Sequence, residues 1–211
     1  MIDMLQKGYF ITFEGPDGSG KTTISKLVYD RLVESGYDCE YTREPGGIEI
    51  AEKIRDIILN PEHTTMDKKT EALLYAASRR QHLVEKILPA LEAHKLVICD
   101  RFVDSSLAYQ GIGRGIGFDE VYAINEFAIE GYLPDLTIFL DIDAQTGLDR
   151  IQNRAFKDRL DQEDITFHQR VFEGYQEVLK RFKERIVIVD GNQSIETIVE
   201  EACNIIRERI A

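Results

Sequence analysis

The segment Gly15-Pro16-Asp17-Gly18-Ser19-Gly20-Lys21-Thr22 fits the pattern G-x-x-x-x-G-K-[ST]. Its flanks constrain the fold more than any other stretch. The run Tyr9-Phe10-Ile11-Thr12-Phe13 before it is apolar and of strand length, and Ile24, Leu27, Val28 and Leu32 recur at helical spacing after it, between Thr22 and Ser35. A strand that turns through glycines into a helix aims successive backbone N–H groups, and the positive end of the helix, at one point. That point is a seat for phosphate. Lys21 adds a point charge within reach of terminal phosphates, and the Thr22 hydroxyl suits the shell of a Mg²⁺ ion. The expected ligand is a nucleoside triphosphate, held from Gly15 through Gly20 to Thr23.

The remaining apolar segments alternate between strand and helix lengths. Strands are expected near 9–14, 38–42, 96–100, 135–141 and 186–190. Helices are expected at 22–35, 49–59, 68–93, 118–130, 144–153, 165–183 and 195–209. This alternation predicts an α/β architecture of the P-loop NTPase type, a mostly parallel five-stranded sheet with helices on both faces. At 211 residues the chain fits a single domain, 1–211. Ligands of such sheets bind beyond the carboxyl ends of the strands, so the chemistry is expected just after Phe13, Thr42, Cys99 and Leu140, and charged or glycine-rich motifs follow the first three. The glycines between Gly111 and Gly117 follow a helical stretch rather than a strand. They therefore predict a mobile loop near the site, not a dinucleotide fingerprint.

The net charge of −12 argues against nucleic acid as a partner, since binding a polyanion needs a basic surface. Yet arginines recur around the expected site, a distribution that suits a small anionic ligand. No apolar run has the length of a membrane span, and Met1 to Gly8 does not read as a secretion signal. Cys39, Cys99 and Cys203 form no C-x-x-C pair. They read as reduced thiols of a cytoplasmic protein, Cys99 as a small buried strand residue.

Further motifs follow the strands. Asp100-Arg101 ends the run Leu96-Val97-Ile98-Cys99, where a carboxylate can hold Mg²⁺ directly or through water and Arg101 can face a phosphate. Ser106, Tyr109 and Gln110 share a helix face and offer a hydroxyl, a phenol and a carboxamide. A Gln can pair donor and acceptor with an imide edge, as a pyrimidine presents. Tyr75 and Arg79 lie four apart and could stack on a base and bind its polar edge, with His82 read as structural. In Thr42-Arg43-Glu44-Pro45-Gly46-Gly47, Arg43 is expected either at a phosphate or paired with Glu44. Arg150 and Arg154 share a helix face late in the chain. Such a run usually reads as a solvated charged face. The competing reading is that, since Pro16, Asp17, Gly18 and Ser19 include no basic residue, a hinged segment there supplies cationic charge to a transition state.

Four of these segments, FEGPDGSGKTT, TREPGG, LLYAASRRQHL and DRFVDSSLAYQG, together resemble the thymidylate kinases, in particular the bacterial class with catalytic arginines in the lid. The resemblance runs from Phe10 to about Val199. It implies phosphoryl transfer from Mg·ATP to dTMP, with ATP phosphates at Gly15 to Thr22. It implies that Asp17 holds the sugar 3′-OH and that Arg43, Arg55 and Arg101 bind or neighbour the acceptor phosphate. Tyr75 would stack on thymine, Arg79, Ser106 and Gln110 would read the base edge, and Tyr109 would press on the 2′ face of the sugar. Arg150, Arg154 and Arg159 would lie in a lid near 148–162. It also implies a homodimer. A kinase of free nucleosides would need a base for the sugar hydroxyl and no arginines for an acceptor phosphate. A GTP-dependent switch would need an N-K-x-D sequence, which does not occur.

Overall fold

The computed structural model describes residues 7–152 and 158–210. Five strands form one sheet in the order β2-β3-β1-β4-β5, with every neighbouring pair parallel: β1 (Tyr9–Glu14), β2 (Cys39–Arg43), β3 (Leu96–Asp100), β4 (Leu136–Asp141) and β5 (Ile186–Asp190). The expected sheet was mostly parallel; among the described residues all of its pairs are. β1 and β3 lie centrally and are almost wholly buried, as their continuous apolar runs require when helices cover both faces. In register, Phe13 faces Asp100 and Arg43 faces Asp100 from the other side. The ends of β1, β2 and β3 are thereby brought level.

α1 (Lys21–Glu34) and α9 (Ile195–Ile210) cover one face, where Ile24, Val28 and Leu32 meet Ile198, Ala202 and Ile206 over the sheet. The other face carries α3 (Lys68–His82), α4 (Leu88–Glu92), α5 (Val103–Ser106), α6 (Phe118–Ile129) and α8 (Ile165–Arg181), packed on Phe10, Val97, Phe102 and Phe139. The remaining helices are α2 (Glu49–Leu59) and α7 (Ala144–Gln152).

Two helical stretches differ from the regular spacing read in the sequence. The expected helix over 68–93 is three pieces, α3, a widened turn at Leu83–Ile87 with i→i+5 bonding, and α4. Pro89, at the start of α4, has no N–H to give the preceding turn, and the widened turn takes up that loss. A second widened turn spans Leu107–Gly113, closed by Arg114 N–H donating to the Tyr109 carbonyl at 2.8 Å. Gly111 and Gly113 are thus buried helical residues rather than part of the mobile loop expected near the site. A Cβ on Gly113 would lie 2.9 Å from Val171 Cγ2, so close packing on α8 explains the glycine.

α8 approaches this turn equally closely at Gly174, where a Cβ would stand 2.7 Å from Ala108 Cα and 2.8 Å from its carbonyl oxygen. Neither atom can swing away. In an exposed helix Gly→Ala would stabilise by about 1 kcal/mol, but here overpacking should outweigh that gain. Gly174→Ala is expected to destabilise by about 1–3 kcal/mol in denaturant titration; a stabilised variant would contradict the close approach.

Candidate active site

The loop between β1 and α1 turns through Gly15, Gly18 and Gly20, with φ of 141°, 83° and 87°. These values favour glycine and bring the N-terminus of α1 to the end of β1. Lys21 is buried, and its Nζ donates to the Pro16 carbonyl at 2.9 Å and to Ser19 Oγ at 3.4 Å. Burial, with the Arg101 charge adding to it, pushes the Lys21 amine down to about 8. The next residue, Thr22, donates from Oγ1 to Asp100 Oδ2 at 2.5 Å. The second Asp100 oxygen, Oδ1, is buried with no hydrogen-bond partner. A hydroxyl beside a carboxylate oxygen left over at a phosphate loop is a donor set that fits a hard divalent cation.

Arg101 stands where β1, β2 and β3 end. Its φ is 70°, an uncommon backbone state for a residue with a Cβ. Its N–H bonds the Phe13 carbonyl at 3.0 Å. The guanidinium donates to Asp17 Oδ1 at 2.6 Å, Ser105 Oγ at 2.8 Å, Tyr175 OH at 3.0 Å, Tyr109 OH at 3.3 Å and the Gly15 carbonyl at 3.4 Å. Tyr109 OH in turn donates to the other Asp17 oxygen at 2.6 Å.

Behind Arg101 lies Glu14, buried at the end of β1. One of its oxygens accepts from the Phe102 and Ser105 backbone N–H groups at 2.7 and 3.3 Å. The other accepts from Ser105 Oγ at 2.6 Å and Tyr175 OH at 3.1 Å. Glu14 therefore ties down the backbone just after the left-handed residue and orients two of the hydroxyls that Arg101 uses. Burial, then the neighbouring Asp104, pushes the Glu14 carboxyl up to about 7.

Across the cavity, Arg79 is a second strongly held guanidinium, with four of its five N–H donors engaged. It donates to Glu44 Oε2 at 2.8 Å, Ser106 Oγ at 3.0 Å, the Phe102 carbonyl at 3.0 Å and Asn125 Oδ1. The second Glu44 oxygen is 2.9 Å from His82 Nδ1, while His82 Nε2 is 2.6 Å from Thr42 Oγ1. His82 is wholly buried and structural, as its sequence context suggested. Glu44 is therefore not the partner of Arg43. Arg43 pairs with Glu52 at 2.8 Å and donates to the Pro45 carbonyl at 3.0 Å, which also accepts from Arg55 at 2.9 Å. The Glu44–Pro45 peptide bond is cis.

A cavity of about 640 Å³ runs between these walls. Asp17, Gly18, Gly20, Lys21, Thr22, Thr23 and Asp100 line one end. Arg43, Arg55, Tyr75, Arg79, Arg101, Ser106, Tyr109 and Gln110 line the rest, with Asp158 and Leu160 at the rim. Of the three arginines expected in a lid, the two that are described lie apart. Arg150 is exposed and donates to the Gly18 carbonyl at 2.8 Å, and Arg154 lies outside the described residues. Arg159 is buried and bonds Glu71 Oε2 at 2.6 Å and the Ile58 carbonyl at 2.7 Å, so its guanidinium is directed at α3 and α2.

Glu14, Glu71 and Tyr175 escaped the sequence reading, and Glu44 was read only as a candidate partner of Arg43. Glu14 had a signal, as a carboxylate ending the β1 run just as Asp100 ends β3. Tyr175 had none, being one of several aromatics on an amphipathic helix. Glu44→Ala would leave the Arg79 charge buried without its carboxylate. The expected cost is about 3–5 kcal/mol, read by denaturant unfolding; a loss below about 1 kcal/mol, the range of an exposed pair, would contradict the buried pairing.

Comparison with known proteins identifies the family of the chain. The thymidylate kinase family model matches residues 13–202. A thymidylate kinase of Bacillus licheniformis is 57% identical over 205 residues, covering 96% of this chain and 97% of its own. One of Halalkalibacterium halodurans is 55% identical, covering 98% of this chain and 100% of its own. The crystal structure of thymidylate kinase from Ehrlichia chaffeensis superposes with a TM-score of 0.78 at 33% identity, covering 95% of this chain and 99% of that one. The chain belongs to the thymidylate kinase family.

Proposed function

We infer that the protein transfers the γ-phosphoryl group of ATP to dTMP, giving dTDP and ADP for dTTP synthesis. Family membership over nearly the whole chain carries this reading. One cavity joining a phosphate loop to a wall of arginines and base-sized polar groups supports it.

In this reading Gly15 to Thr23 hold the donor phosphates and Lys21 neutralises the β- and γ-phosphates. Mg²⁺ would sit with Thr22 and Asp100, and it supplies charge neutralisation to the phosphates when bound. Arg101, with Arg43 and Arg55, aligns the acceptor phosphate, and Asp17 takes the sugar 3′-OH. Tyr75 stacks on the base, Arg79, Ser106 and Gln110 face its polar edge, and Tyr109 closes the space a ribose 2′-OH would need. Arg150, Arg154 and Arg159 belong to the proposed lid, with Arg150 bonded to the Gly18 carbonyl of the phosphate loop. An acceptor phosphate oxygen is already an anion near neutral pH, so alignment and charge stabilisation replace a general base.

A homodimer is part of the same proposal. Phe127 on α6 and Leu73 on α3 are 87% and 56% exposed, and α3 packs on α6. We also propose a cytoplasmic location. Among the described residues no helix is long and apolar enough to cross a membrane.

The direct test is ADP release with dTMP, with thymidine and without acceptor, in wild type and Lys21→Ala. Turnover should require dTMP, and the variant should lose about a hundredfold or more, the scale of one transition-state contact. Equal turnover without acceptor, or a near-normal variant, would overturn the reading.

A further inference from the structure

We propose that Glu71 is a positioning residue that fixes which way round the Gln110 amide faces the base, and that it thereby selects an acceptor whose ring nitrogen carries a proton. The proposal rests on the reading of Gln110 as a base neighbour.

Glu71 lies on α3 one turn before Tyr75 and is 1% exposed. Its Oε1 accepts from Gln110 Nε2 at 2.8 Å and, more weakly, from Arg114 Nε at 3.2 Å, a donor it shares with Oε2 at the same distance. Its Oε2 accepts from Arg159 Nη2 at 2.6 Å and stands 3.0 Å from Arg114 Nη2. Burial alone would raise this carboxyl, but the hydrogen bond and charge of Arg114, with Gln110 and Arg159, outweigh it and hold it below the usual carboxylate range. Glu71 is therefore ionised at neutral pH, and an ionised carboxylate only accepts.

The two ends of a Gln amide are otherwise interchangeable in shape, and the partner decides between them. Here the nitrogen must face Glu71, because the alternative sets two acceptors 2.8 Å apart. Gln110 is itself buried in the widened turn after α5 and borders the cavity. With its nitrogen held, its carbonyl oxygen is the fixed acceptor it offers there.

A thymine edge presents a C4 carbonyl beside an N3–H. A cytosine edge presents the reverse, an amino group beside a bare N3. An amide locked in one sense matches only one of these patterns. Its oxygen suits N3–H, and Arg79, which only donates, suits the C4 carbonyl. Against cytosine both contacts would set like against like, and leaving buried polar groups unpaired is the costly way to bind.

In Glu71→Gln the two arginines claim the single new oxygen, so the new NH₂ faces Gln110 and favours the turned-over amide. The experiment is kcat/KM for dTMP and for dCMP in wild type, Glu71→Gln, Gln110→Leu and the double variant, with Glu71→Asp as a charge-preserving alternative that withdraws from Gln110. Wild type should prefer dTMP strongly. Glu71→Gln should narrow the dTMP/dCMP ratio by about tenfold to a hundredfold, Glu71→Asp by less, and Glu71→Gln should add nothing in the Gln110→Leu background. General loosening of the fold would lower both substrates together and leave the ratio intact. If Gln110→Leu narrows the ratio but neither folded Glu71 variant does, the positioning role is overturned. If no variant changes the ratio, Gln110 does not read the base, and the acceptor-site reading fails with it.

Discussion

The site depends on one guanidinium held in a place where a side chain does not normally go. Arg101 sits at the end of a central strand with a positive φ, a backbone state that costs free energy and persists only where surroundings enforce it. The enforcement is visible on both sides. The Phe13 carbonyl holds its N–H, Glu14 caps the next backbone N–H, and five acceptors drawn from the phosphate loop, α5, the widened turn and α8 hold its side chain. A flexible ammonium could not satisfy that many partners at once. A planar fork can, and it ties the glycine-rich loop after β1 to α5, the widened turn and α8.

The same kind of pairing recurs elsewhere in the fold. Glu44 with Arg79, Glu71 with Arg114 and Arg159, and Asp104 with Arg185 are each a buried carboxylate on a strand end or helix, met by arginine. Such pairs contribute little net stability, since desolvation offsets much of their attraction, but breaking one leaves an uncompensated charge. They set direction rather than add strength.

Much of the fold and part of the site was legible from residues alone. The phosphate loop, Asp100 and Arg101 are local signals attached to apolar runs, and parallel strands put their carboxyl ends at one edge. Arg43 could be assigned to the cavity but not to its partner, because Glu52 is a helical turn into α2 while Glu44 is adjacent in sequence. The contact of Glu14 with Tyr175 spans 161 positions and obeys no periodicity. The two widened turns were hidden because apolar spacing does not distinguish i→i+4 from i→i+5 bonding over one or two turns. Arg159 lies in the stretch that reads as a charged lid. Its burial against Glu71 follows from the docking of the chain after residue 157 onto α2 and α3, which is tertiary information.

The central claim is that the fixed fork of Arg101, and not merely a positive charge, organises donor and acceptor. Steady-state kinetics of Arg101→Lys with ATP and dTMP tests it most directly, because the charge is kept and the geometry is lost. The account predicts a fall in kcat of about a hundredfold or more, on the scale of a lost transition-state contact, with folding retained by thermal melt. A lysine variant that folds and turns over within a few-fold of wild type would contradict it.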